Sequence, residues 1–369
     1  MKLTYFSPVP WDSYEQRPHY FARDFLNAGG GSVTWVNPYP ARLPSWRDLM
    51  RQDLRDPPLV LPKPSGLRVV SPGSLPIDPL PGGAALNETL FWRRLLDDLR
   101  GEESGGQTIV GIGRPTELAL TALRTLAVTW SFYDAMDDFP EFYSGQSRAA
   151  TARVESVIAK GVSRIFVSSA RLAEKFAGAG PPVTLLPNAF DMSLLPPVRA
   201  NEAGSARVGF VGCIGSWFDW EATVRLASAI DPVPVTLVGP IASPPPGTLP
   251  SNIELQPPCP QPDAVKWLAT FSAGLIPFVR NTLTASIDPI KYYQYRGAGV
   301  PVLTTRFGEM AARGDGEDTY FIDDPAGPVA AFERSQARRL SIDIDEVQRF
   351  RIANDWAERF RTTRIWQTR

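Results

Sequence analysis

The densest run of chemistry-bearing residues lies between Arg280 and Tyr295, which reads Arg-Asn-Thr-Leu-Thr-Ala-Ser-Ile-Asp-Pro-Ile-Lys-Tyr-Tyr-Gln-Tyr. Pro289 suits the first position of a helix, with Asp288 or Ser286 as its cap, so free backbone N–H groups would gather beside a polar loop holding Arg280, Asn281 and Thr284. Lys291 then falls in the first turn, where the helix dipole disfavours a cation. A positive charge makes sense there if an anion docks at the same end. Gln294 follows one turn later on the same face, in reach of sugar hydroxyls. The alternative is a capped surface helix whose Lys291 and Gln294 are merely solvated. A second anion-seeking element is the turn Gly212-Cys213-Ile214-Gly215-Ser216-Trp217, placed between a strand and a helix, where backbone without side chains can approach a phosphate. Its glycines are three apart, the GxGxxG spacing is absent, and no acidic residue stands where a ribose-binding carboxylate belongs, which argues against a nicotinamide dinucleotide. For proton transfer the candidates are His19, the only histidine, and Asp137 and Asp138, at the end of a strand that runs into an acidic turn.

These residues need elements to hold them, and the chain supplies an alternating series. Lys2 to Phe6 reads as a strand, His19 to Ala28 as a helix stopped by Gly29-Gly30-Gly31, and Ser32 to Asn37 as the next strand, a βαβ unit with a parallel sheet. Residues 56 to 84 are rich in Pro and Gly and read as irregular. The alternation resumes at Glu88 and continues to Val183–Leu186. Leu194 to Ser205 has no periodicity and reads as a linker, after which a second series begins at Arg207. The 369 residues exceed what one core usually serves. The expected architecture is therefore two doubly wound, Rossmann-like α/β domains with a ligand cleft between them: residues 1–195, residues 206–345, and a helical tail 346–369 that packs back on the first domain.

Composition removes several classes of function. Lys+Arg 38 against Asp+Glu 39 leaves no basic footprint for nucleic acid. Two cysteines, Cys213 and Cys259, stand far apart without a CxxC pair, against a disulfide framework or structural zinc. No HExxH, His pair or strand-end DxD is present, so no metal is expected. The first residues are too short an apolar run for a signal peptide, and no 18-residue apolar run occurs; cytoplasm is the expected compartment. Trp46–Arg51 and Phe91–Leu96 mix aromatic, aliphatic and Arg residues as an interfacial helix would, although the second reads equally as an amphipathic helix facing a core.

The order of motifs resembles the GT-B glycosyltransferases. It runs from Val208–Asp219 through Thr236–Pro240 and Ala273–Phe278 to Asp288–Tyr295 with Gly299–Val302, and is similar to their donor-binding half. Gln16-Arg17-Pro18-His19, the turn Tyr133–Asp138, Val167–Ser169 and Leu186-Pro187-Asn188 are similar to the acceptor half. Bacterial exopolysaccharide and teichuronic-acid enzymes and xanthan-type glucuronosyltransferases are the nearest in pattern. The resemblance implies transfer of a sugar from a nucleotide-sugar donor, a UDP-sugar first among them, to a glycan or polyprenyl-linked glycan, without metal or cofactor. It places Gly212, Gly215 and Ser216 against phosphate, pairs Lys291 with it, and sets Gln294 where relatives carry a ribose-binding Glu. Retaining members often have two glutamates eight positions apart; here those positions are Ser286 and Gln294. The glucuronosyltransferases favour an aspartate base, Asp137 or Asp138, while inverting relatives often keep a histidine at the position of His19. A nucleotide-sugar epimerase or a non-catalytic binding subunit of the same fold are the alternatives. A polyprenyl-linked acceptor would bring the first domain to a membrane.

Overall fold

The structure is a computed structural model that describes residues 1–44, 61–101, 106–198, 206–324 and 326–366. The chain divides into two compact units, one of residues 1–186 with 364–369, the other of residues 187–363. The division falls at Pro187, earlier than the loop expected to link the domains. The helices Ile344–Ala353 and Trp356–Thr363 belong to the second unit, and only the chain from Arg364 onward joins the first.

The first unit is built on seven parallel strands. They are β1 (Lys2–Phe6), β2 (Ser32–Val36), β3 (Leu67–Val70), β4 (Thr108–Ile112), β5 (Trp130–Ala135), β6 (Arg164–Val167) and β7 (Val183–Leu185), in the order β3-β2-β1-β4-β5-β6-β7. Helices cover the faces, so the central strands are buried throughout; every residue of β4 and β5 is inside, as a parallel sheet requires. Side-chain oxygens start the connecting helices: Thr116 accepts from Ala119 N–H and Ser169 from Leu172 N–H, both at 3.3 Å, satisfying donors that the first turn leaves open. β3 lies inside the stretch expected to be irregular; it is a four-residue edge strand, too short to show period-two alternation. In the helical segment Gly83–Gly101, Trp92, Leu95 and Leu96 face the core, so this segment is an amphipathic core helix. Trp46–Arg51 lies outside the described residues.

One buried ion pair ties this unit's sheet to its first helix. Arg17, opening the helix Arg17–Asn27, and Asp134 of β5 are both fully inaccessible, 2.7 Å apart. Arg17 also donates to Leu186 C=O at 2.6 Å, and Tyr5 O–H to the other Asp134 oxygen at 3.2 Å.

The second unit has six parallel strands: β8 (Val208–Val211), β9 (Val235–Val238), β10 (Ile253–Gln256), β11 (Ala273–Ile276), β12 (Val302–Thr304) and β13 (Thr319–Phe321), in the order β10-β9-β8-β11-β12-β13. Counted within each unit, the strands run 3-2-1-4-5-6-7 in the first sheet and 3-2-1-4-5-6 in the second, the doubly wound order. The order reverses between the first and fourth strands, and ligands bind outside the carboxyl ends of strands at such a point. In the second unit that point lies between β8 and β11, and the loops leaving them are the glycine turn and the segment before Lys291. Among the described residues no helix is long and apolar enough to cross a membrane.

Removing one partner of a buried pair strands the other charge. Asp134→Asn is expected to lower the unfolding free energy by about 3 kcal/mol in urea titration; a loss below a few tenths would mean that Arg17 finds other compensation.

Candidate functional site

At the switch point of the second unit, three pieces of chain are locked together. The turn after β8 bridges to the loop after β11 through Phe218 and Phe278, with Asp219 N–H donating to Pro277 C=O at 2.7 Å and Val279 N–H to Trp217 C=O at 2.8 Å. Tyr295, fully buried in the helix Ile290–Gly297, accepts from Val211 N–H at 3.3 Å and donates to Gly209 C=O at 3.2 Å. That anchors the helix on β8. Lys291 sits one turn earlier and reaches the end of the same strand.

Its ammonium occupies the space that a side chain on residue 212 would take. A Cβ on Gly212 would lie 2.7 Å from Lys291 Nζ, and Gly212 holds φ +142°, a conformation suited to glycine. Beside it Gly239, at φ +137°, lets the turn after β9 press so close that a Cβ would stand 2.3 Å from Gly212 O. Nζ is 5.1 Å from the Phe210 ring centroid, a cation–π contact. No carboxylate among the described residues pairs with Lys291. Burial pulls its pKa down from the usual lysine range to about 8, against an opposing influence from Cys213. Around this charge, the N–H groups of Gly215, Ser216 and Trp217 have no acceptor among the described residues, and those of Ile290 and Lys291 open a helix, where no intrahelical acceptor exists. Gln294 shares the half-exposed face with Lys291. A partly desolvated cation thus stands beside a group of amide donors, an arrangement whose charge suits a small polyanion.

Several expected donor contacts fall elsewhere. The helix begins at Ile290 with Pro289 in the capping position and no side-chain cap. The Asp288 carboxylate turns inward instead, accepting from Asn188 N–H at 2.8 Å, Tyr293 O–H at 2.9 Å and Arg313 at 3.0 Å. Thr284 donates its hydroxyl to Val279 C=O at 2.5 Å and accepts from Asn281 N–H at 3.1 Å; it closes its own loop. Ser286 is buried, while Arg280, Asn281 and Ser216 are exposed.

In the first unit the carboxyl end of β5 carries the acid–base candidates, and their surroundings separate them. Asp138 is paired with Lys175 at 2.7 Å. Asp137 makes no hydrogen bond or ion pair among the described residues, and its pKa is pushed up to about 7, by burial first, with Asp134 and Asp138 adding to the rise and Arg17 opposing it. A half-buried carboxyl of that kind exchanges a proton near neutrality. His19 lies in different surroundings from the two aspartates. It is fully buried; Nδ1 accepts from Gln16 N–H at 3.2 Å, Nε2–H donates to Trp11 C=O at 3.0 Å, and Trp11 and Trp35 enclose the ring. Burial lowers its pKa to about 4, and both nitrogens are committed.

Arg17 and Lys175 were not singled out by the sequence. The signal for Arg17 was the same one that marks Lys291, a cation in the first helical turn against the dipole; here its partner is internal. Among the described residues no cluster of His, Cys, Asp and Glu could hold a metal ion.

No protein-family model matches this chain, and no curated protein sequence matches it. Solved structures do, across nearly the full length. Anabaena Alr3699/HepE, solved in complex with UDP and glucose, is similar with TM-score 0.61 at 12% identity, covering 100% of both chains. The lipopolysaccharide outer core galactosyltransferase WaaB in its apo form gives 0.62 at 9%, with 99% of each chain covered. AviGT4, a glycosyltransferase involved in avilamycin A biosynthesis, gives 0.57 at 13%, covering 99% of this chain and 96% of the other. The chain has the GT-B fold.

Asp137 and Lys291 leave opposite marks on stability. A raised carboxyl pKa stabilises the fold at pH values below about 4 and the gain is lost as pH rises through 7. Asp137→Asn, neutral throughout, should therefore gain on the wild type between pH 4 and 7, by about 2 kcal/mol once partial solvent exposure is discounted; a flat difference in melting temperature across that range would refute the assignment. A depressed lysine pKa costs stability below about 8 and the cost disappears toward the unfolded value near 10.5. Lys291→Met is expected to melt higher than the wild type at pH 7, and no higher at pH 10.5.

Proposed function

We propose that the protein transfers a sugar from a nucleoside-diphosphate donor, a UDP-sugar first among them, to a hydroxyl of a glycan or lipid-linked glycan in polysaccharide assembly. The observation that carries this reading is the Lys291 ammonium, partly buried without a carboxylate partner among the described residues and set beside the free amides of the glycine turn. A desolvated cation is costly unless something at work compensates it, and the diphosphate of a nucleotide sugar supplies the missing charge. The fold supports the same reading, since HepE of that fold is solved with UDP and glucose.

In this mechanism the second unit binds the donor. The diphosphate lies against Lys291 and the N–H groups of Gly215, Ser216, Ile290 and Lys291, with Gln294 toward the ribose. As the glycosidic bond to the diphosphate breaks, the charge developing on the leaving oxygen is met by donors already oriented, and ammonium and amides do the work that a divalent ion does elsewhere. The first unit supplies the base: Asp137, ionised at or above pH 7, takes the proton of the attacking hydroxyl. A displacement assisted in this way inverts the anomeric centre.

The test is a thermal-shift panel of UDP-, GDP-, dTDP- and ADP-sugars. One nucleotide is expected to stabilise the wild type by about 2.7 kcal/mol at a hundredfold excess over its Kd, and Lys291→Ala to lose most of that rise. Affinity should hold steady below pH 8 and fall about tenfold for each further unit as the ammonium deprotonates. Asp137→Asn should keep the shift and lose turnover by a factor of about 10² to 10⁴. No shift with any nucleotide would overturn the donor assignment; turnover at the wild-type rate in Asp137→Asn would overturn the base.

A further inference from the structure

The turn that carries Asp137 is held from two sides. Ser168, just past β6, donates its hydroxyl to Met136 C=O at 2.7 Å. On the other side Lys175, near the end of the helix Ala170–Phe176, places one ammonium between two carboxylates: Asp138 at 2.7 Å and Glu155 at 2.6 Å. Glu155 comes from the helix Gly145–Gly161, is almost fully buried, and accepts from Tyr133 O–H of β5 at 2.7 Å. A chain of contacts thus runs from β5 through Glu155 and Lys175 to the residue next to Asp137.

We infer that Lys175 is a positioning residue for Asp137: by clasping Asp138 to Glu155 it fixes the strand-end turn and neutralises the charge beside the reacting carboxyl. The inference rests on Asp137 acting as the base. The charged groups around Asp137 are Arg17 from the first helix, Asp134 from β5 and Asp138 on its own turn, with Lys175 and Glu155 behind Asp138. Arg17 is already occupied by Asp134. Lys175 is the cation that compensates Asp138, so its loss leaves an unpaired anion adjacent to Asp137 and favours the protonated base. Lys175 lines a cavity of about 520 Å³ together with Asp138, Glu155 and Phe176, and its ammonium lies 5.1 Å from the Phe176 ring centroid. An unbranched Met fits that space without opening the core.

Glu155 can itself take up a proton once Lys175 is gone, which would mask the effect, so the comparison is made with Glu155→Gln as the parent. Two quantities are measured in Glu155→Gln, in Glu155→Gln with Lys175→Met, and in Lys175→Arg. The first is the pH midpoint at which Asp137→Asn gains thermal stability over its own parent. The second is the acid limb of kcat for UDP release at saturating UDP-glucose. Both midpoints should rise by at least half a pH unit on Lys175→Met, with KM within twofold, and stay in place in Lys175→Arg. A role confined to stability would lower kcat equally at every pH, and unmoved midpoints would overturn the inference. Should Asp137→Asn prove fully active, the base assignment fails while the stability midpoint still reports whether Lys175 acts on Asp137. Should it prove inactive with both midpoints unmoved, the role of Lys175 fails alone.

Discussion

An ammonium partly withdrawn from water must lie somewhere, and in the second unit it lies where a glycine has no side chain. The geometry around it follows from that contact. Gly212 can leave the space empty because its backbone takes a conformation that other residues resist. Gly239 lets a third loop close behind it, and Tyr295 fixes the distance between the helix and β8 so that Lys291 arrives at the strand end. The antiparallel bridge between Phe218 and Phe278 then holds the two loops of the switch point as one piece. Each of these constraints is made of backbone or buried side chain, so the positions of the ammonium and the turn amides are set by the fold itself, as the proposed electrostatic stabilisation requires.

Charge is handled in two ways within this chain. Arg17 and Asp134 are both buried and each answers the other, so the pair is structural. Asp138, Lys175 and Glu155 likewise balance one another. Asp137 and Lys291, one in each unit, have neither an ion pair nor a side-chain hydrogen bond among the described residues, and both have pKa values displaced toward neutrality by burial. Groups that lower stability without an internal partner are the ones that a functional reading should claim first.

What could be read from the residues alone was whatever depends on local sequence. The strand–turn–helix rhythm, the two α/β series and the placement of Lys291 and Gln294 on one helix face follow from periodicity and from glycine and proline positions. What could not be read depends on partners distant in the chain. Asp288 has the type and position of a cap, yet Asn188, a hundred residues away, claims its carboxylate. Thr284 looks like a phosphate contact, yet its hydroxyl donates to Val279 C=O. His19 was one candidate base, as the lone histidine; the two tryptophans that enclose it, Trp11 and Trp35, could not be placed beside it from spacing. β3 and β13, of four and three residues, are too short for any periodicity to register.

The return of the chain to the first unit has its own consequence. Trp366 donates to Asp24 at 2.6 Å and packs edge-on against Phe21, Phe25 and Phe132, so the aromatic centre of that unit is completed by a residue 342 positions away from its hydrogen-bond partner. A fragment cut at Pro187 would lack this plug, exposing several rings and leaving the Asp24 carboxyl without its donor. The two halves are therefore not exchangeable modules: a chimera that swaps the first must carry the last few residues with it.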